Sequence, residues 1–412
     1  MTPTTRCAWL LATVAVVALA LPAWAALAVA ALLLAAMLAD GLSVRVAPRI
    51  ERAVEQVLSR GVAAPLRIDA LAPDARRVLL RQPATPALEV RAHGGAHELR
   101  GEIVPVLRGR QRLPGVAGAS VGPLGLARWH HPAGAAAELL VYPNLVGARR
   151  LALRLREGRA APVGRLRRGP LGLGTEFESI REYSPDDDIR QVNWRASARL
   201  GRPMSNQYRV EHDHDVLCLL DAGRLMAAAS ERGTLLDATL DAATAVALAA
   251  DELGDRCGAI AFDADVRLSV QPRRLGGRRV VHALFDLQPT LEDSDFERAF
   301  LRVGGSRRGL VLVFTDLVDE YAARSLVRAA PMLTRRHAVV VASVGDPVLE
   351  DAALERHEDE ARALAALSVL RARDSAVTRI RRAGADVVLA PARSLPVRCV
   401  QAYLRAKARV RM

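Results

Sequence analysis

The sequence predicts a multidomain chain: an N-terminal transmembrane helical hairpin, a small all-β sandwich-like domain, and an α/β doubly wound domain. Three observations carry that expectation. They are an uncharged apolar run over residues 7–39, a β texture punctuated by Gly and Pro over residues 43–145, and an alternation of apolar strands with helical runs over residues 213–412. A polar connector, residues 146–212, joins the last two parts.

No charged side chain falls between Cys7 and Ala39, and about 20 apolar residues suffice to cross a bilayer's hydrocarbon. As one helix the run would reach about 50 Å, well beyond a core of about 30 Å. Pro22 near its middle favours two tilted helices, 7–21 and 23–39. Arg6 precedes the run and Arg45, Arg49 and Arg52 follow it, so the positive-inside rule keeps both flanks, and the soluble remainder, on the cytoplasmic side. The competing reading is a cleaved signal peptide at Ala23, Trp24 and Ala25. Against it, the run stays apolar to Ala39, where a secreted domain would turn polar.

The 412 residues are 51% hydrophobic and only 4% aromatic, an alanine-rich globular profile sufficient for two or three cores. Lys+Arg 58 against Asp+Glu 45 leaves +13. The arginines are scattered, as at Arg149, Arg168, Arg273, Arg307, Arg335 and Arg381, and form no stripe interleaved with aromatics. Anionic lipid headgroups, rather than nucleic acid, are the expected counter-surface. Cys7, Cys218, Cys257 and Cys399 lie far apart, without the spacing of a metal knuckle or a disulfide scaffold, which fits a reducing compartment.

In the β region the candidate strands are 54–58, 66–70, 87–92, 97–107 and 139–142. Beyond the connector, buried-type strands at 216–220, 258–262, 310–314, 338–344 and 386–389 alternate with helical runs at 235–253, 321–333, 352–370 and 396–410. That order predicts a mostly parallel sheet covered on both faces. Ligands of such sheets sit outside the carboxyl ends of the strands, where Asp221 and Asp316 fall.

The connector carries EYSPDDDIRQVNWRASAR (182–199) and LGRPMSNQYRVE (200–211), and LLDAGRLM (219–226) follows. Together these resemble the signature of the domain-of-unknown-function 58 family. LRGR (107–110), GPLGLARW (122–129), VYPN (141–144) and the tail AYLRAKAR (402–409) extend the similarity over most of the chain. The matched signature positions are Glu182, Tyr183, Pro185, Asp187, Asp188, Arg190, Trp194, Ser197, Arg199, Glu211 and Arg224. The resemblance implies a von Willebrand factor A-like fold for the last two hundred residues, and the leader with its flanks is expected to place the protein in a bacterial inner membrane. The resemblance also implies the company of a MoxR-type AAA+ ATPase, and it implies little about activity.

A metal-dependent site of the A-domain type needs D-x-S-x-S plus a Thr and a second Asp, because Mg²⁺ demands octahedral oxygen ligands. Gly223 and Leu225 stand where the two serines belong. Asp221, Thr315 and Asp316 are left as candidate ligands, with Arg224 adding a competing positive charge. No cofactor is required by the sequence, and Mg²⁺ is the candidate one. Asp186, Asp187 and Asp188 suit the first turn of a short helix with Ser184 as cap and Pro185 at its first position. Arg190, Asn193, Trp194, Arg195, Ser197 and Arg199 form a donor cluster around one indole, the residue types of a protein-binding anchor. His212 and His214 share a strand face but lack a third ligand for zinc, and His130 and His131 have no partner in reach by sequence. Phosphate loops, nucleophile elbows and HExxH motifs are absent from the sequence. The leading expectation is therefore a membrane-anchored, non-enzymatic interaction or assembly adaptor. A metal-dependent ligand-binding domain and a hydrolase using the clustered aspartates are the alternatives.

Overall fold

The computed structural model describes residues 1–17, 22–94, 97–132, 134–156, 176–184, 192–209, 214–231, 233–303, 307–318, 320–354 and 360–410. The chain divides into two units, Met1–Tyr142 and Pro143–Met412.

The first unit opens with two apolar helices, Thr5–Val17 and Ala23–Ser43. Trp24–Ser43, at 20 residues, is long and apolar enough to cross a membrane. The 13 residues of Thr5–Val17 fall short of the roughly 20 a crossing requires, so the expected pair of spans reduces to one helix of spanning length among the described residues. Asp40 ends the apolar run and is buried. Its carboxylate accepts hydrogen bonds from the backbone N–H of Leu124 (2.7 Å), Leu126 (2.7 Å) and Ala127 (2.9 Å). The turn in GPLGLARW thus holds the last turn of the long helix by three charge-assisted bonds.

The rest of the first unit is built of small sheets, antiparallel except where Val57–Ser59 pairs in parallel with Ala137–Tyr142. One runs in the order Arg49–Val54, Ala64–Leu71, Glu98–Pro105, Leu88–Gly94. In Ala64–Leu71 the residues Ala64, Leu66, Ile68 and Ala70 are buried, the period-two pattern of a strand with one face inward. Ala64, Leu66 and Ile68 pack with Leu88, Ile103, Leu113 and Leu139 in one core. The strands Arg77–Arg81, Gly109–Leu113, Ala117–Val121 and Ala127–His131 had no counterpart among the expected ones. Their sequences RVLLR, GRQRL, AGASV and ARWHH hide the alternation behind arginines and small residues. Ring nitrogens of His130 and His131 do find partners, in the hydroxyls of Thr2 (3.1 Å) and Ser120 (2.9 Å).

The second unit holds a six-stranded sheet. Its strands, numbered in chain order, are β1 (Asp215–Asp221), β2 (Arg256–Phe262), β3 (Val266–Arg274), β4 (Gly309–Phe314), β5 (Ala338–Gly345) and β6 (Asp386–Pro391). They lie in the order 3-2-1-4-5-6, all parallel except β3. This is the doubly wound order. Leu235–Glu252 and Leu395–Val410 pack on one face with Cys218, Leu220 and Phe314, while Phe296–Val303, Glu320–Thr334 and Glu360–Arg382 pack on the other with Leu219, Phe262 and Val313. β3 went unread in the sequence because VRLSVQPRR alternates half-buried and exposed residues instead of running apolar. The helix expected over 352–370 is two, Pro347–Leu354 and Glu360–Arg382, with 355–359 outside the described residues.

At the amino edge of this sheet Asp255 is fully buried and accepts from Tyr403 Oη (2.5 Å) and Lys407 Nζ (2.6 Å), both on the last helix. The tail AYLRAKAR therefore clamps the start of β2. Burial alone would raise the Asp255 carboxyl, but hydrogen bonding from His214 and the Lys407 charge hold it below its ordinary value.

Candidate functional site

The order of a doubly wound sheet reverses between β1 and β4, which are parallel neighbours, and the carboxyl end of that reversal is where such sheets bind ligands. Asp221 ends β1, and Thr315 and Asp316 follow β4. All three are buried.

Asp221 Oδ2 accepts from Thr315 Oγ1 at 2.6 Å, and Oδ1 accepts from the Gly223 N–H at 2.8 Å. A third donor comes from a loop that sequence reading passed over: Ser294 Oγ, 2.5 Å from Oδ1. A Cβ built on Gly223 would lie 2.2 Å from Ser294 Oγ and 2.9 Å from the Glu292 carbonyl. Gly223 is thus a position of close approach, and Ser294 fills the space its side chain would take. The hydroxyl missing from the β1 loop is replaced by one from residues 290–295. That loop is pinned by Thr290 N to the Ala222 carbonyl (2.8 Å), Arg224 N to the Glu292 carbonyl (2.8 Å) and Asp295 N to the Asp263 carbonyl (2.9 Å). The only local hint in the sequence was the polar run EDSD after Leu291.

Burial pushes the Asp221 carboxyl above its ordinary value. The Ser294, Thr315 and Gly223 hydrogen bonds oppose that rise and the charge of Asp263 adds to it. Asp263, buried at the end of β2, is a second residue that sequence reading missed. Its Oδ1 accepts from Asp265 N at 2.9 Å, and its Oδ2 faces Arg267 at 3.6 Å. Asp316 Oδ2 accepts from Val318 N at 3.2 Å. Arg224 pairs with Asp293 and not with Asp221.

The oxygen-only donor set suits a hard cation, yet both oxygens of Asp221 already accept hydroxyl hydrogens. Among the described residues no group of three His, Cys, Asp or Glu side chains is arranged to hold a metal ion. The cluster does not fit a resident metal. Chemically it is a buried carboxylate held by three donors.

The signature segment lies elsewhere in the second unit. Glu176–Glu182 pairs antiparallel with Met204–Arg209, and Trp194–Leu200 is a short helix between them. Asn193 caps it, its side chain accepting from Ala196 N at 2.9 Å. Ser197 Oγ donates to the Asn193 carbonyl and accepts from Met204 N, both at 2.8 Å. Glu182 meets Arg202 at 3.6 Å and Tyr183 N donates to the Pro203 carbonyl at 3.0 Å. Asn193 and Ser197 thus brace the backbone of this strand–helix–strand piece instead of surrounding the indole. Trp194 is 72% exposed, and Arg199 is also exposed. Pro185, Asp186, Asp187, Asp188, Arg190, Glu211 and His212 lie outside the described residues.

Residues 179–357 match the family described as "Protein of unknown function DUF58". The DUF58 match takes in Asp221, Ser294, Thr315, Asp316 and the Asp255 end of the amino-edge clamp, and ends before Tyr403 and Lys407. An uncharacterized protein of Mycobacterium bovis and two of Mycobacterium tuberculosis are each 29% identical over 202 residues, which is 44% of this chain and 62% of theirs. The chain therefore spans under two thirds of the length of these relatives. Among solved structures, a cohesin module from Clostridium perfringens (TM-score 0.15, 10% identity, 23% of this chain and 96% of that one) and an uncharacterized membrane spanning protein from Vibrio fischeri (TM-score 0.16, 13% identity, 48% and 98%) are similar only at a level that carries no argument about fold.

Proposed function

We propose that the protein is a membrane-anchored, non-enzymatic adaptor whose second unit, a von Willebrand factor A-like domain, binds a protein partner at the cytoplasmic surface. The observation that carries the non-catalytic reading is that Asp221 is buried with a donor on each oxygen. A general base must reach its substrate's proton with a free oxygen, and this carboxylate is buried with three donors on its two oxygens. The A-like reading rests on the 3-2-1-4-5-6 order with one antiparallel edge strand.

Anchoring rests on Trp24–Ser43. A return of the chain to its side of entry is supported within the first unit: Thr2 and Pro3 pair with Arg128 and Ala127, and Thr4 Oγ1 donates to the Gly125 carbonyl at 2.6 Å. The segments flanking the two apolar helices therefore meet the same turn that grips Asp40. The exposed Trp194 supplies the residue type most enriched at binding hot spots. The family resemblance makes a MoxR-type AAA+ ATPase the proposed partner.

The test is crosslinked affinity purification of the full chain from native membranes. A reproducible AAA+ ATPase in the eluate is the expected result, and an eluate without one overturns the adaptor reading. Protease protection in right-side-out spheroplasts tests the orientation. The C-terminus must be protected.

A further inference from the structure

The edge of the large sheet carries a surface that the adaptor reading leaves unused. Among the described residues β3 pairs only with β2, so its outer side forms the edge of the sheet. Such an edge offers unpaired backbone groups to another extended chain. Beside it lies a shallow, largely solvent-open groove lined by Val266, Arg267, Ser269, Arg298, Leu301 and Arg302. The helix Phe296–Val303 forms its far wall. Phe296, Ala299, Phe300 and Val303 are buried against the sheet, which fixes the helix and turns Arg298, Leu301 and Arg302 outward. Leu301 is 68% exposed, a large apolar side chain set between two arginines.

The charge of the groove is one-sided. Arg267, Arg298 and Arg302 face a single lining carboxylate, Asp265, which Arg298 meets at 2.6 Å. Arg267 is more than half exposed and only loosely opposed to Asp263 at 3.6 Å. Guanidinium groups recognise carboxylates by paired N–H donors. Two copies of β3 side by side would bring Arg267, Arg273 and Arg274 of one against the arginines of the other. The edge thus repels its own copy while suiting an extended strand of opposite charge.

We propose that the groove between β3 and the helix Phe296–Val303 docks an extended acidic segment of a protein partner by strand addition. Carboxylates of the segment would meet Arg267, Arg298 and Arg302, and an apolar side chain would lie against Leu301. This rests on the adaptor reading and names the surface and the partner chemistry for it.

The experiment uses the full-length protein in nanodiscs and a fluorescein-labelled ten-residue peptide alternating Asp or Glu with Leu and Val. Fluorescence anisotropy should report saturable binding, weakened about tenfold by Arg302→Glu and by Leu301→Asp, as for charge reversal or loss of an apolar anchor at an interface. Both positions are exposed, so the variants keep the fold. Equal affinity for a single-stranded DNA ten-mer of the same charge would overturn the proposal in favour of plain polyanion attraction. Unchanged peptide affinity in both variants, or self-association through this edge, would overturn it as well. The same variants separate the two claims in native membranes. Capture of the ATPase by both the wild type and Arg302→Glu removes the groove and leaves the adaptor standing, whereas no capture by the wild type removes the adaptor.

Discussion

Ser294 donates its hydroxyl to Asp221 Oδ1 from the space that a side chain on Gly223 would occupy. A residue 71 positions further along the chain thus compensates for a glycine beside the strand-end aspartate. The two positions are sterically exclusive. Gly223→Ala should therefore destabilise by about 1–3 kcal/mol through overpacking, and Ser294→Gly in the same chain should recover part of that loss. A double-mutant cycle by urea unfolding measures the coupling, expected at about 1 kcal/mol or more. Additive losses would mean that the loop relaxes away from Gly223.

The Asp221 carboxyl is raised by burial, so in the pH range above the ordinary carboxylate value the folded state holds a proton that the unfolded state has lost. Its contribution to stability accordingly falls as pH rises through the raised value. Thr315→Val removes a hydrogen bond to the charged form and should carry that decline to higher pH. Thermal unfolding midpoints measured across the acidic range check both the sign and the displacement.

Asp255 has the opposite sign. Its carboxyl is held below the ordinary value, so its stabilising contribution is complete above the unfolded value of about 3.9 and is lost as pH falls through the folded one. Lys407→Met leaves the buried carboxylate short of its cation and should cost roughly 3 kcal/mol. Acid unfolding of this variant should begin at a higher pH than in the wild type. Circular dichroism during acid titration decides it.

Asp40 joins the long apolar helix to the β region through three backbone N–H groups. Asp40→Ala strands those buried donors at about 1–3 kcal/mol apiece before relaxation. Limited proteolysis should then cut between residues 43 and 49 faster than in the wild type, with the six-stranded sheet unaffected.

Magnesium titration by calorimetry should give no heat of binding, because both oxygens of Asp221 already accept hydroxyl hydrogens. Heat that vanishes in Asp316→Ala would instead make the carboxyl edge a metal site.

How far the sequence could be read follows from the kind of signal each feature leaves. The central strands were legible because β1, β2, β4 and β5 are buried on both faces and so run apolar without interruption. β3 is an edge with one exposed face, and its arginines and Pro272 mask the alternation. Asp221, Thr315 and Asp316 could be placed together because strand ends converge in a parallel sheet. Ser294 and Asp263 could not, since only the folded loop 290–295 brings one to Asp221 and the other is a lone aspartate after a strand. The signature segment reads as a cluster in one dimension, but Asn193 and Ser197 spend their hydrogen bonds on the local backbone, leaving Trp194 exposed. Of the leader, composition revealed the apolar character; the helix lengths came from the fold.

The proposed role is recruitment of a protein partner at the membrane without chemistry of the chain's own. Quantitative crosslinked capture from native membranes, comparing the wild type with Trp194→Ala, tests it most directly. An AAA+ ATPase enriched with the wild type and reduced several-fold by the substitution is the expected result, in keeping with the loss of a tryptophan hot spot. An eluate with no ATPase from either chain, at equal membrane levels, would contradict it.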